Sequence, residues 1–335
     1  MTIEELAEKN NCTIEVIKMF FNLFEELIKE KLKMKDLIIL GNGMAGMTAA
    51  LYAKRANLDF KIVGKDEFDF GQIGNAILVE NYPCAASQSG FELAMKLHDQ
   101  LVENGIEIEE HTVSQIMQMS DGALSIYYED GTVDLTKSVI YALGARHREL
   151  RCETEGEVNF HYCALCDGAL YKDKTVAVIG GGDVAFTQAE YLSKICEKVL
   201  IVMCDDNVTA APQTYDRVKK IKNINITMNY PVDEIINNKY WTKQYSIRSG
   251  NTLMNVDGIF VSIGMMPNTQ SIIRISPTVT DTLGYITTDE NCKTVVKGFF
   301  AAGDVRAKAV RQSITAAADG AIAVNSVINY LKGLI

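Results

Sequence analysis

DLIILGNGMAGMTAALYAKRA, residues 36–56, decides the fold: the apolar run Leu37 to Leu40 enters Gly41, Gly43 and Gly46, and a small-residue helix pattern follows. Four apolar residues closed by glycine read as a strand buried on both faces. Glycines at this spacing let the backbone approach a pyrophosphate, whose charge the positive end of the next helix holds. A lone GxGxxG is weak, and the competing reading is glycine that only lets strand and helix pack tightly; the flanking strand and helix favour a dinucleotide site. A second copy, TVAVIGGGDVAFTQAEYLSKI at residues 175–195, repeats the order with Gly180, Gly181 and Gly182. Two such units about 140 residues apart imply an α/β chain with two doubly wound dinucleotide-binding-type domains. The ribose-binding acid expected after the second strand is not assignable, because DFKIV ends at Gly64 and Asp66 and Glu67 stand late.

Composition narrows the class. The chain has 335 residues, 47% hydrophobic and 23% charged, with 24 Gly and 5 Pro, so it carries a sizeable core and is neither disordered nor collagen-like. A net charge of −10 gives no bulk attraction to nucleic acid or an anionic membrane. No apolar run approaches the roughly 18 residues of a membrane span, and the acidic start MTIEELAE lacks the basic region of a secretory signal. A cytoplasmic protein with no nucleic-acid or membrane partner is expected. Of eight cysteines only Cys163 and Cys166 form a close pair. A cytoplasmic C-x-x-C is a redox pair or half a metal site; no second C-x-x-C or H-x-x-H completes a zinc site, so redox chemistry leads and no metal is expected.

Residues 1–34 read as a helical extension: Ile14, Ile17, Phe20, Phe21, Phe24, Leu27 and Ile28 recur at helical spacing. LAEKNNCTIEVI weakly resembles a helix-turn-helix, but its recognition helix would be too apolar, and packing on the body or on a second subunit is the better reading. EIEEHTVSQIMQM, ALSIYYEDGTVDLTKSVIYAL with a turn at Asp130 and Gly131, and YWTKQYSIRSGNTLMNVDGIFVSIG read as small antiparallel layers beside each parallel sheet. GFFAAGDVRAKAVRQSITAAADGAIAV supplies a strand running to Gly303 and Asp304, then an Ala- and Gly-rich helix. Its N-terminus offers amides to an anion and Asp304 suits a sugar hydroxyl, against the alternative of plain small-residue packing.

DLIILGNGMAGMTAALYAKRA, GQI (71–73), ENYP (80–83), YALGA (141–145), CALCDG (163–168), VAVIGGGDVA (176–185), FVSIGMMPNT (260–269) and FFAAGDVRAKAVRQ (299–312), in this order, resemble the low-molecular-weight flavoprotein thioredoxin reductases over residues 36–333. The resemblance implies FAD in a domain of two segments (36–150 and 263–335), an inserted nucleotide-type domain (151–262) carrying the C-x-x-C, thioredoxin or a similar disulfide protein as partner, and a homodimer. It places FAD contacts at Gly41, Gly43, Ala45, Gly46, Gln72, Asn81, Gly303, Asp304, Arg311 and Gln312. Tyr82 stands where the family often has Trp, and Leu143 stands in its usual TGA triplet. Cys163 and Cys166 become the redox pair, since close thiols form a disulfide with little reorganisation and a thiolate attacks flavin or a partner disulfide. Asp167 becomes their acid and base, against the plainer reading of a turn carboxylate. His161, two residues before Cys163, is read as a bystander.

The sequence departs from the family at the electron donor. NADPH-using members carry HRRxxxRA after the second glycine turn, whose arginines grip the 2′-phosphate. Here the segment reads MCDDNVTA: Met203, Cys204, Asp205 and Thr209 replace the His and all three Arg, and Thr187 and Gln188 replace the usual glutamates. NADPH is therefore disfavoured. Asp205, about 20 residues after the turn, suits the ribose of NADH. The flanking losses favour reduced ferredoxin, as in the pyridine-nucleotide-independent branch, and Lys29, Lys31, Lys33 and Lys35 or Lys219, Lys220 and Lys222 could receive that acidic protein. A flavin-bearing redox sensor is the alternative of a different class; the intact CALCDG argues against it.

Overall fold

The computed structural model describes residues 13, 33–76, 79, 81–85, 87–238, 244–276 and 278–334. The expected N-terminal helices lie outside the described residues. The chain divides into two units, one of residues 1–74, 94–145 and 267–335, the other of 75–93 and 146–266.

In the first unit, Leu37–Leu40 is fully buried and forms the middle of a five-stranded parallel sheet in the order Phe299–Ala301, Val139–Tyr141, Leu37–Leu40, Phe60–Gly64, Ile108–Glu110. The helix Met44–Arg55 leaves the glycine turn with one face of Met44, Ala45, Met47, Ala49, Ala50 and Ala53 buried. It packs on the last helix, Ser313–Leu331, so closely that a Cβ on Gly320 would strike the Ala45 carbonyl. An antiparallel layer of Val113–Gln118, Leu124–Tyr128 and Val133–Thr136 adds Ile116, Leu124 and Ile126 to the same core, with Gly131 taking the left-handed conformation its turn requires.

The second unit repeats the sheet. Its order is Phe160–His161, Gly258–Val261, Thr175–Ile179, Lys198–Val202, Ile224–Thr227, again all parallel. The helix Asp183–Leu192 follows the glycine turn and buries Ala185, Phe186, Ala189 and Leu192 against one face. The other face is covered by a small layer in which Glu234–Asn237, Tyr245–Ser249 and Thr252–Val256 are antiparallel and Glu153–Glu155 joins the edge in parallel, with Tyr245 and Ile247 in the core. Among the described residues no helix is long and apolar enough to cross a membrane.

Candidate functional site

The three glycines of the first turn have different tasks. At Gly41 (φ +107°) a Cβ would collide with the Ala142 carbonyl, and at Gly46 with the Gly41 carbonyl, so packing alone requires both. At Gly43 a Cβ would meet only the Phe70 carbonyl, at 3.5 Å, in ordinary contact. Packing does not need glycine there; an approaching ligand does. Gly43 is also the N-cap of Met44–Arg55, a helix with no side-chain cap and no acid in its first turn, so none of its side chains competes for its first N–H groups.

The second segment meets this turn through Gly303, whose Cβ would touch Ala45 Cβ at 3.0 Å. The Gly303–Val305 turn is pinned by buried Asp319, which accepts hydrogen bonds from Gly303 N (3.0 Å), Arg306 Nη1 (2.5 Å) and Lys308 Nζ (2.9 Å). The pinning leaves Asp304 half-buried, its Oδ1 buried and making no hydrogen bond among the described residues; Lys308 Nζ lies 3.7 Å away. Burial holds the Asp304 carboxyl above the usual range, and Lys308 and Arg311 oppose that shift. A buried carboxylate oxygen with unused acceptor capacity is what a ligand hydroxyl satisfies. Arg311 lies over the Tyr285 ring at 4.0 Å and donates to the Arg306 carbonyl, Gln312 caps the last helix, and Gln72 Nε2 donates to the Ala145 carbonyl at 2.8 Å. Asn81 falls in the 75–93 segment, counted with the second unit. The open position at Gly43 and the orphaned Asp304 oxygen fit a dinucleotide with a polyhydroxyl chain.

In the second unit Cys163 follows the edge strand Phe160–His161 and begins the helical turn Ala164–Asp167; its Sγ accepts from Cys166 N at 3.2 Å. The two cysteines are joined in a disulfide with their Cα atoms 5.3 Å apart. Gln188 holds both sides of Cys163, accepting from Ala164 N (3.2 Å) and donating to the Tyr162 carbonyl (3.1 Å), two bonds that a glutamate in its place could not both make. Asp167 is 7% exposed; its Oδ2 lies 3.0 Å from His161 Nδ1, and among the described residues its buried Oδ1 has no partner. His161, expected to be a solvent-facing or hydrogen-bonded bystander, is 3% exposed, and its Nε2 lies 2.7 Å from the Tyr171 hydroxyl. Sequence reading missed Tyr171 and the bridging role of Gln188, since the chain folds back through a short 3₁₀ turn, Gly168–Tyr171, that no periodicity announces.

The second glycine turn is tied to residues 209–211 of its own chain. The Gly181 carbonyl accepts from Thr209 N (3.0 Å), Ala210 N (3.1 Å) and Thr209 Oγ1 (3.3 Å), and Asp183 Oδ1 from Ala211 N (2.9 Å). Asp205 bonds within its own loop, Oδ1 to Asn207 N at 3.0 Å and Oδ2 to Cys204 Sγ at 3.4 Å. Cys204, Asp205 and Asp206 are exposed, and residues 203–211 contain no Lys or Arg.

Residues 35–321 match the pyridine nucleotide-disulphide oxidoreductase family. The chain is 37% identical over 310 residues to the thioredoxin reductase of Listeria monocytogenes, covering 90% of this chain and 95% of that protein. The structure of thioredoxin reductase from Streptococcus pyogenes, 35% identical, matches at a TM-score of 0.80 over 90% of this chain and 99% of that one. A ferredoxin-flavin thioredoxin reductase from Clostridium acetobutylicum, 25% identical, matches at 0.51 over 90% and 99%. The chain belongs to the pyridine nucleotide-disulphide oxidoreductases and, within them, to the low-molecular-weight thioredoxin reductases. It is a flavin-dependent oxidoreductase with FAD as its cofactor.

Proposed function

We propose that this protein reduces a thioredoxin disulfide with electrons from reduced ferredoxin, passed through FAD to Cys163 and Cys166. In this reading segments 36–150 and 263–335 bind FAD, residues 151–262 carry the redox pair, and residues 1–34 are a helical extension. The N-terminal amides at Gly43 would hold the pyrophosphate, with Gly41, Ala45 and Gly46 shaping the turn, and Asp304 beside Gly303 would accept from a ribityl hydroxyl. Gln72, Asn81, Arg311 and Gln312 complete the contacts. FAD, when bound, supplies the two-electron couple. The pair accepts two electrons as its S–S bond opens; one thiolate then attacks the partner disulfide, and the second displaces the reduced partner and closes the disulfide again. Asp167 holds and returns the proton at the sulfur. A cytoplasmic homodimer completes the reading.

The observation that carries the donor is the 203–211 segment: exposed Asp205 and Asp206, and no cation, where a 2′-phosphate needs arginine. Bonding of the Asp205 carboxylate within its own loop favours ferredoxin over NADH. Of the basic clusters, Lys33 and Lys35 both pair with Asp59, whereas Lys220 and Lys222 are exposed beside Lys219, which pairs with Asp216, so the 219–222 cluster is the better landing surface. Anaerobic stopped-flow mixing tests the proposal: reduced ferredoxin bleaches the flavin rapidly and NADPH leaves it oxidised on the timescale of turnover. Bleaching by NADH at a catalytic rate replaces ferredoxin with NADH; bleaching by NADPH overturns the reading of the lost arginines.

A further inference from the structure

We propose that His161 is a positioning residue that, fixed in one tautomer by Tyr171, holds Asp167 so that the proton exchanged with the redox dithiol sits on Oδ1. The inference rests on the reading of Cys163 and Cys166 as the redox pair and Asp167 as their acid and base.

The three side chains form a buried line. Burial, with added electrostatic effects from Tyr245, Asp167, Asp257 and Cys196, pushes the Tyr171 phenol up to about 12, so near neutral pH it keeps its proton. Among the described residues its hydroxyl makes no hydrogen bond other than that to His161 Nε2 at 2.7 Å. With no other partner for its hydrogen, the phenol donates to Nε2 in the proposed arrangement, and an imidazole that accepts at Nε2 carries its hydrogen on Nδ1. Nδ1–H then donates to Asp167 Oδ2, 3.0 Å away. Oδ2 can accept whether Asp167 is ionised or protonated, so the bond survives proton transfer. Oδ1, buried and without a partner, is the oxygen left to take the proton.

Among the described residues, the groups packed around the ring are apolar, neutral or bonded elsewhere, apart from Lys174 over the Tyr171 ring. Phe260, from the neighbouring strand, packs against His161 and Tyr171 with centroids at 5.1 and 5.6 Å. Gln188, from the helix Asp183–Leu192, is neutral and engaged with Tyr162 and Ala164. Lys174 Nζ sits 5.6 Å from the Tyr171 ring centroid, and Asp257 is bonded to Thr175 N. Among the described residues, Asp167 is thus the one ionisable carboxyl bonded to His161.

In the exchange a thiolate of the pair bonds to a substrate sulfur and the substrate S–S bond breaks. The remaining cysteine thiol gives its proton to Asp167 Oδ1 and, as thiolate, displaces the substrate sulfur; the Cys163–Cys166 bond re-forms and the proton passes to the departing substrate. The substrate gains two electrons, the dithiol loses two, and Asp167 ends as it began.

The test uses holoenzyme reduced chemically with dithionite and mixed in single turnover with thioredoxin disulfide or an aromatic disulfide, so that it does not depend on the donor. Asp167→Asn should abolish one limb of the pH–rate profile. A lost donor to the carboxylate favours its protonated form, so His161→Leu should move that limb up by about one pH unit. His161→Asn, whose amide can replace Nδ1–H, should bring it back, and Tyr171→Phe should give a smaller upward shift. An unmoved limb in His161→Leu with the wild-type flavin spectrum overturns the proposal, as does an unmoved limb in Tyr171→Phe if His161→Leu fails to fold. No exchange by wild type with either disulfide would instead remove the reading of the redox pair on which it rests.

Discussion

Each unit has its own five-stranded sheet, and the two sheets repeat one strand order but lead into different loops. In each, five parallel strands run in the same order, and the strand before the glycine turn stands in the middle. The outermost strand beyond it comes from opposite directions in sequence. In the first unit it is Phe299–Ala301, late in the chain, and it leads into Gly303 and Asp304; in the second it is Phe160–His161, ahead of its glycine turn, and it leads into Cys163. Both functional loops therefore leave the carboxyl end of the corresponding strand, the edge at which doubly wound sheets bind ligands. The glycine turns diverge too. The helix after Gly43 has no acid in its first turn, whereas the helix after Gly182 begins with Asp183, bonded to residue 211, and residues 209–211 are tied to the turn. The shared backbone sets where a site can form, and a handful of side chains decide what it accepts.

If the second unit's strand-end loop is the redox loop, the largest effect falls there. Cys163→Ser or Cys166→Ser should abolish thioredoxin reduction while the protein stays yellow, because each removes half of the disulfide and none of the first unit's turn. Turnover surviving in both variants would end the assignment of chemistry to this loop. Next in size is Asp167→Asn, which should slow thiol exchange by roughly 10² to 10⁴, the usual worth of a general acid. An unchanged rate, followed as reduced enzyme reacting with thioredoxin disulfide, would make Asp167 a turn carboxylate after all.

What could be read in the sequence was what is local. The strand, glycine turn and helix of each unit lie within about 20 residues and carry their own periodicity, so both appear from residues 36–56 and 175–195 alone. The Asp-Gly turn at Asp130 and Gly131 was legible for the same reason. The strand Phe160–His161 was not, because two residues have no period and its partner, Gly258–Val261, lies almost a hundred positions on. The line through Asp167, His161 and Tyr171 was hidden for a related reason: separations of 6 and 10 match neither helix nor strand, and the contacts arise only when the chain turns back after Cys166. Gln188 looked like a lost glutamate, and only the positions of Tyr162 and Ala164 give its amide a reason.

The contrast between the glycine turns can be tested with one substitution made twice. Gly43→Val should weaken FAD binding by roughly tenfold or more, the scale of one lost charge-assisted hydrogen bond, because the protein itself leaves room for a side chain there, 3.5 Å from the Phe70 carbonyl, and the cofactor would need that room. Gly182→Val, at the matching position, where a Cβ stands 3.4 Å from Thr209 Oγ1, should leave FAD affinity and ferredoxin-driven turnover near wild type. Loss of turnover in Gly182→Val with FAD still bound would show that the second turn also receives a nucleotide.

The smallest expected effect has opposite signs in the two states of the protein. Burial holds the Asp304 carboxyl above its ordinary range, with Lys308 and Arg311 pulling the other way. The folded, flavin-free protein therefore binds a proton at Asp304 more readily than the unfolded chain does, and linkage requires the contribution of this residue to stability to fall as pH rises from the ordinary carboxylate range through the raised folded value. Asp304→Asn removes the ionisation. Without flavin the variant should be more stable than wild type near neutral pH, and the advantage should vanish below the ordinary carboxylate range, where wild-type Asp304 is neutral in both states. With FAD the order should reverse, since a carboxylate accepts a hydroxyl hydrogen bond more strongly than an amide carbonyl. Thermal melts across pH, with and without added FAD, measure both differences. A flavin-free Asp304→Asn protein that melts lower than wild type at neutral pH would mean that Lys308 and Arg311 outweigh burial, and the Asp304 oxygen would no longer mark the place of a ligand hydroxyl.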